Sequence, residues 1–162
     1  MNPCPCGYYG DSLKPCTCAP AVVTKYQKRI SGPLLDRIDI HIEVPQVKFR
    51  EITAARTGEK SSTIRQRVIA AREIQQRRFS GRKVSCNARM GSRELKEFCT
   101  ISESTMELLK LAMNENNLSA RAYDRILKVA RTIADLAGEP RLTSDHVGEA
   151  IQFRSLDRQL WM

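Results

Sequence analysis

Four of the six cysteines fall within the first eighteen residues, as Cys4-x-Cys6, a nine-residue interval, then Cys16-x-Cys18. Two paired-thiol units on a tight loop with Gly7 and Gly10 can converge on one tetrahedral ion, and four thiolates suit zinc better than a hard cation. Structural zinc sites commonly leave at least two residues between paired cysteines; a single one is less usual but sterically allowed. Two disulfides or a redox pair are the rival readings, and a cytoplasmic setting disfavours the disulfides. A zinc ion with all four positions filled by protein would be structural, not catalytic. Cys86 and Cys99 lack such spacing and read as packing residues.

Two arginines come next. Arg37 sits between a Gly32-Pro33-opened helical turn and the alternating run Ile38, Ile40, Ile42, Val44. A period of two puts those four side chains on one face of a strand, with Asp39, His41 and Glu43 on the other. On the residues alone, Arg37 reads as a solvated cation pairing with Asp36 or Asp39. Arg121 lies in the first turn of a helix capped by Ser119, where a cation opposes the helix dipole and is well placed to meet an anion. The blander and favoured reading pairs it with Asp124 or Asp145. His41 and His146 belong to no nucleophile or metal pattern and read as structural. These residues contain no Gly-x-x-x-x-Gly-Lys-Ser/Thr and no apolar strand ending in paired acids, so they offer no cradle for Mg-ATP of the usual kind.

The elements that must position these groups are mostly helical. Residues 1–20 are a loop rich in Pro, Gly and Cys; residues 21–30 are a short helix with Val22, Tyr26 and Ile30 on one side. After the strand, residues 46–60 read as a linker. Ser61 or Ser62 caps a helix to Phe79 whose inward face is Ile64, Val68, Ala71 and Ile74 or Gln75, with Arg65, Arg72, Arg77 and Arg78 largely outward. Then follow a short helix over 93–99, a Ser102-capped helix to Asn116, the long apolar helix 120–137, and a last helix opened by Thr143 or Ser144 and running to Arg154. In the long helix Ala122, Ile126, Val129, Ile133 and Leu136 form one stripe, widened by Tyr123, Leu127, Ala130 and Ala134, which makes it the centre of a bundle.

The net charge of +9 is local: residues 61–100 carry ten Lys/Arg against three acids, a field suited to phosphate backbones or acidic surfaces. No apolar run approaches the ~18 residues of a membrane helix. The N-terminus has neither part of a signal peptide, and a cytoplasmic protein is expected.

The segment GPLLDRIDIHIEVP (32–45) resembles the arginine-finger segment of the Mg-chelatase-like AAA+ ATPases, a group with ComM-like and magnesium chelatase branches. Leu118–Leu136 is similar to that family's sensor-2 helix, and 143–153 to the last helix of the same lid. The resemblance implies that Arg37 is an arginine finger acting in trans, that Arg121 is the sensor-2 arginine over the ATP phosphates, and that Asn2 is the sensor-1 asparagine. The residues themselves support only a polar side chain at position 2. The Cys-rich insertion also resembles the ComM-like branch. The fold implied is mainly α: a C-terminal remnant of an AAA+ α/β core over 1–45, with one or two strands and the zinc loop, then the linker and an all-helical lid over 61–162. A complete member would use ATP and Mg2+, form a homo-oligomeric ring of about six subunits, and move along DNA as a helicase in branch migration, DNA uptake and recombination. This chain alone is expected to be inactive. The alternatives are part of a magnesium chelatase ATPase subunit, against which the cysteine loop and the basic 61–100 segment argue, and a zinc-stabilised nucleic-acid or protein-binding module.

Overall fold

A run of well-capped amphipathic segments folds into helices packed around one of their number. The computed structural model describes residues 1–35, 37–44, 47, 53, 58–116 and 118–154. Among them are α1 (Pro20–Gln27), α2 (Gly32–Leu35), α3 (Ser61–Arg78), a 3-10 turn (Asn87–Arg89), α4 (Ser92–Phe98), α5 (Glu103–Glu115), α6 (Ala120–Ala137) and α7 (Ser144–Gln152).

The central helix is α6. The Ser119 hydroxyl accepts the Ala122 N–H at 3.2 Å and starts it. Gly138, at φ 73°, ends it in the left-handed conformation that a side chain would strain. Helix α6 packs against α3, the 3-10 turn, α4 and α7, and α5 packs on α7. Leu109, Ile126, Ala130, Ala134 and Val147 form the centre of the core, all at 1% exposure or less. Phe79 and Phe98 close one end edge-to-face, with centroids 5.6 Å apart.

Within α6 the buried residues are Ala122, Ile126, Leu127, Ala130, Arg131, Ala134 and Asp135. Of the expected stripe, Ala122 and Ile126 are buried and Val129 and Ile133 pack against the core, while Leu136 is exposed; the inward face extends to the flanking Leu127, Ala130 and Ala134. A polar knot, described below, draws Arg131 and Asp135 inside as well.

Three further expectations are corrected. Ser61 and Ser62 both lie inside α3; its N-cap is Lys60, which makes no side-chain cap. Only the C-terminal half of α3 packs, since Ala71 and Gln75 are buried while Ile64 and Val68 are 44% and 40% exposed. In α1 the buried residue is Val23, not Val22.

The strand is the largest departure. Among the described residues there is no β-strand, so the α/β remnant expected over 1–45 is not seen as such. Ile38, Ile40, Ile42 and Val44 are exposed, as are Asp39 and Glu43, and His41 alone of residues 37–44 is buried. A strand needs a neighbour for its backbone groups and for its apolar face. Here 37–44 runs beside the helices, tied to them through the Ile38 carbonyl, the Asp39 carboxylate and the His41 N–H. Most of the linker expected over 46–60 lies outside the described residues, as do Asp36 and Trp161.

Candidate functional site

The four cysteines of the N-terminal loop come together. Cys4 Sγ lies 3.3 Å from Cys6 Sγ and 3.7 Å from Cys16 Sγ, and Cys6 and Cys16 are 3.5 Å apart. All four sulfurs, Cys18 included, lie within 4.8 Å of one another. Sulfurs held 2.3 Å from a tetrahedral zinc stand about 3.8 Å apart, so the donor set and its spacing fit a metal ion. The loop achieves this with two left-handed glycines, Gly7 (φ 84°) and Gly10 (φ 81°). Asp11 accepts the N–H groups of Leu13 and Lys14 at 2.7 and 3.1 Å and turns the chain back. The Gln27 amide donates to the Pro3 carbonyl at 3.2 Å, which ties the loop to α1.

The electrostatics of the cluster also suit a cation. Backbone N–H groups of Tyr8 and Thr17 directed at Cys6 bring its thiol down to about 5. The Cys18 N–H favours the Cys16 thiolate, but burial and the neighbouring sulfurs outweigh it and push Cys16 up to about 12. One thiolate forms readily and opposes the next, a conflict that a divalent ion at the centre removes. The remaining thiols behave as packing residues. Cys99 is buried, 3.8 Å from the Leu127 carbonyl, and Cys86 is half-buried. Burial pushes Cys99 up to about 11 despite the nearby guanidinium groups of Arg131 and Arg78.

Arg37 is exposed where α2 gives way to the 37–44 segment; its N–H bonds the Leu34 carbonyl at 3.0 Å. Among the described residues no carboxylate pairs with its guanidinium. The partner considered for it, Asp39, pairs instead with Arg125 on α6. Arg121, one turn before Arg125, is likewise exposed, and neither Asp124 nor Asp145 pairs with it. Asn2 is exposed beside the cysteine loop, near Gly7.

Two polar constellations lay outside the sequence reading. The first joins 37–44 to the bundle: the Asp39–Arg125 pair, the buried Arg154 donating to the Ile38 carbonyl, and the His41 N–H donating to the Phe153 carbonyl at 2.8 Å. The second is the knot around Asp135, whose side chain is fully buried. It accepts a two-pronged contact from Arg78, 2.7 Å from Asn87 Nδ2, and 3.2 Å from Arg131 Nε. Arg131 also donates to the carbonyls of Glu139 and Pro140 at 2.6 and 3.0 Å. Arg78 therefore points inward and leaves the expected basic patch, and Arg82 is engaged by Glu97. That contact holds the Glu97 carboxyl below its usual range. The signal for the knot was present in Arg131 and Asp135, two charges at i, i+4 on the apolar side of α6.

His146 closes the start of α7, with Nδ1 3.1 Å from the Thr143 hydroxyl, a structural role. Among the described residues no helix is long and apolar enough to cross a membrane.

Residues 1–52 match the magnesium chelatase subunit ChlI family and residues 58–154 match its ChlI C-terminal family. Competence protein ComM of Haemophilus influenzae is 39% identical over 161 residues, which is 99% of this chain and 30% of the relative. YifB of Salmonella typhimurium is 38% identical over 99% of this chain and 31% of its own length. Rv2897c of Mycobacterium tuberculosis is 37% identical over 94% of this chain and 30% of its own. The chain thus spans about three tenths of the length of the curated relatives it matches. With both family matches covering its described helices and its cysteine loop, the chain belongs to the magnesium chelatase ChlI family.

Proposed function

We propose that this chain is the C-terminal part of a ComM-like AAA+ motor, divided into a core remnant (1–45), a linker (46–60) and a helical lid (61–162). In it Arg37 is the arginine finger, Arg121 the sensor-2 arginine and Asn2 the sensor-1 asparagine. The observation that carries the reading is the pair of exposed guanidinium groups, Arg37 and Arg121, each without a carboxylate partner among the described residues. A charge that must reach a phosphate in another subunit cannot be quenched by its own, and both segments lie within the family matches.

In this reading Arg37 neutralises charge developing on the transferred phosphoryl group of a neighbour's ATP. Arg121, at a helix start where a bound anion offsets its conflict with the dipole, holds the phosphates and reports their state to the bundle. The phosphate-cradling loop and the Mg2+ ligands come from the rest of the protein. Cys4, Cys6, Cys16 and Cys18 hold a structural zinc ion, which supplies a rigid cross-link for a loop too small to have a core of its own. The resemblance to ComM-like proteins supports a cytoplasmic ring of about six subunits acting on DNA, with branch migration during DNA uptake and recombination as its work.

The test is steady-state ATP hydrolysis by the full-length protein. Arg37→Ala lowers kcat by about 10³-fold while fluorescent ATP analogue still binds. Full turnover in that variant, or phosphate release from ATP by the 162-residue chain alone, overturns the reading. Salt-sensitive binding of the full-length ring to branched DNA supports DNA as its substrate; its absence leaves the chelatase-type motor as the better reading.

A further inference from the structure

We infer that Asp39 and Arg125 form a latch through which the sensor-2 helix sets the position of Arg37, so that Arg125 is a positioning residue for the arginine finger. The inference rests on the roles proposed for Arg37 and Arg121 and adds the physical link between them.

The Arg37 guanidinium has no partner among the described residues, and the segment that carries it is not paired in a sheet. Ile38, Ile40 and Ile42 offer it little anchorage by packing, at 39%, 46% and 66% exposed. On one side Arg37 is held by α2, where its N–H bonds the Leu34 carbonyl and Leu35 is buried; on the other the segment is tied to the bundle by polar attachments at residues 38, 39 and 41. Two of them use backbone on the segment's side: the Ile38 carbonyl accepts from Arg154, and the His41 N–H reaches the Phe153 carbonyl at 2.8 Å. Both lead to the end of α7. The third joins two side chains and is the one that reaches α6, through the Asp39 carboxylate and the Arg125 guanidinium.

Arg121 and Arg125 are four residues apart on α6 and so share a face, about 6 Å apart along the axis. Asp39 is two residues from Arg37, a reach of about 7 Å of extended chain. Helix α6 is continuous from Ala120 to Ala137 and packs into the core along its length, so it moves as a rod. A displacement of its first turn when Arg121 takes up or releases a phosphate is thus delivered to Asp39, and through it to Arg37. The pair also occupies the carboxylate nearest in sequence to Arg37 among the described residues. Without Arg125, Asp39 is free to capture the finger itself.

The latch is a matter of placement more than of stability. The Arg125 and Asp39 side chains are 23% and 49% exposed, and ion pairs in such settings add little to folding. Its loss should therefore appear in turnover and leave the melting temperature nearly unchanged, a separation that a merely structural pair would not produce.

The experiment uses the full-length protein, with steady-state ATP hydrolysis and thermal melts of Arg125→Ala, Asp39→Ala, the exchanged double variant Asp39→Arg/Arg125→Asp, and Arg37→Ala as the reference. Each single latch variant is expected to lower kcat by about tenfold, with KM for ATP moved less than about twofold. The exchanged pair recovers most of the loss. Single variants with wild-type kcat, or an exchanged pair as slow as the singles, overturn the latch while leaving the finger intact. Full turnover by Arg37→Ala instead removes the finger, and with it anything for the latch to position. A second readout needs no nucleotide: in the 162-residue chain, Arg125→Ala speeds hydrogen exchange at the His41 amide by about fivefold and leaves the Ala130 amide unchanged. Equal exchange at His41 with and without Arg125 also overturns the latch.

Discussion

Asp135 is a carboxylate with no solvent and two guanidinium groups to satisfy. Arg78 and Arg131 both reach it, Asn87 donates to it, and the second cation is balanced by carbonyls at the end of α6. Burial draws Arg131 below its ordinary pKa range, against the pull of Asp135. A charge set of this kind adds little when intact and a great deal when broken, because the partner left behind stays buried. Asp135→Asn should therefore destabilise the chain by about 3–5 kcal/mol in urea unfolding. A loss below about 1 kcal/mol, the range of an exposed pair, would mean that the knot is open to water. Helical periodicity places Arg78 outward, while its carboxylate partner is 57 residues away in sequence. No local pattern carries that pairing. The cysteines were the opposite case, since their chemistry and their spacing are both local, and the loop brings together the four thiols that the spacing singled out.

Helices were legible wherever a cap and an apolar period fell within one short window. The reading of 120–137 matches α6 residue for residue, because Ser119 and Gly138 mark its ends by their own chemistry. Ser119→Ala should cost about 1 kcal/mol through the unmet Ala122 N–H, and Gly138→Ala about 1–2 kcal/mol through the left-handed backbone. Circular-dichroism melts of the two variants check both values; a neutral Gly138→Ala would mean that the helix ends some other way. The 37–44 segment was not legible in this way. Its alternation suggests a two-faced strand, but only His41 is buried, because what a segment buries depends on what lies alongside. In this chain that neighbour is the end of α7 and the flank of α6, both of which offer polar groups.

At the scale of the whole molecule the N-terminal loop and the bundle draw on different sources of stability. The bundle has an aliphatic and aromatic core; the loop has four thiols, two turning glycines and the Gln27–Pro3 bond to α1. Withdrawing metal should therefore dismantle the loop and spare the helices. Treatment with a strong chelator is expected to release about one zinc ion per chain, expose four reactive thiols, and leave the helical melting transition in place. Loss of the helical signal together with the metal would show that the two parts fold as one.

The outward aliphatic side chains of 37–44 have a consequence for the molecule as a building block. Bonded to the bundle along its polar side, this ribbon turns Ile38, Ile40, Ile42 and Val44 outward as a greasy seam, like a joint mortared on one side only. Exposed branched aliphatic side chains in a row invite another chain to add itself there. Kept apart from whatever normally seats against that seam, copies of this chain will meet one another at it first.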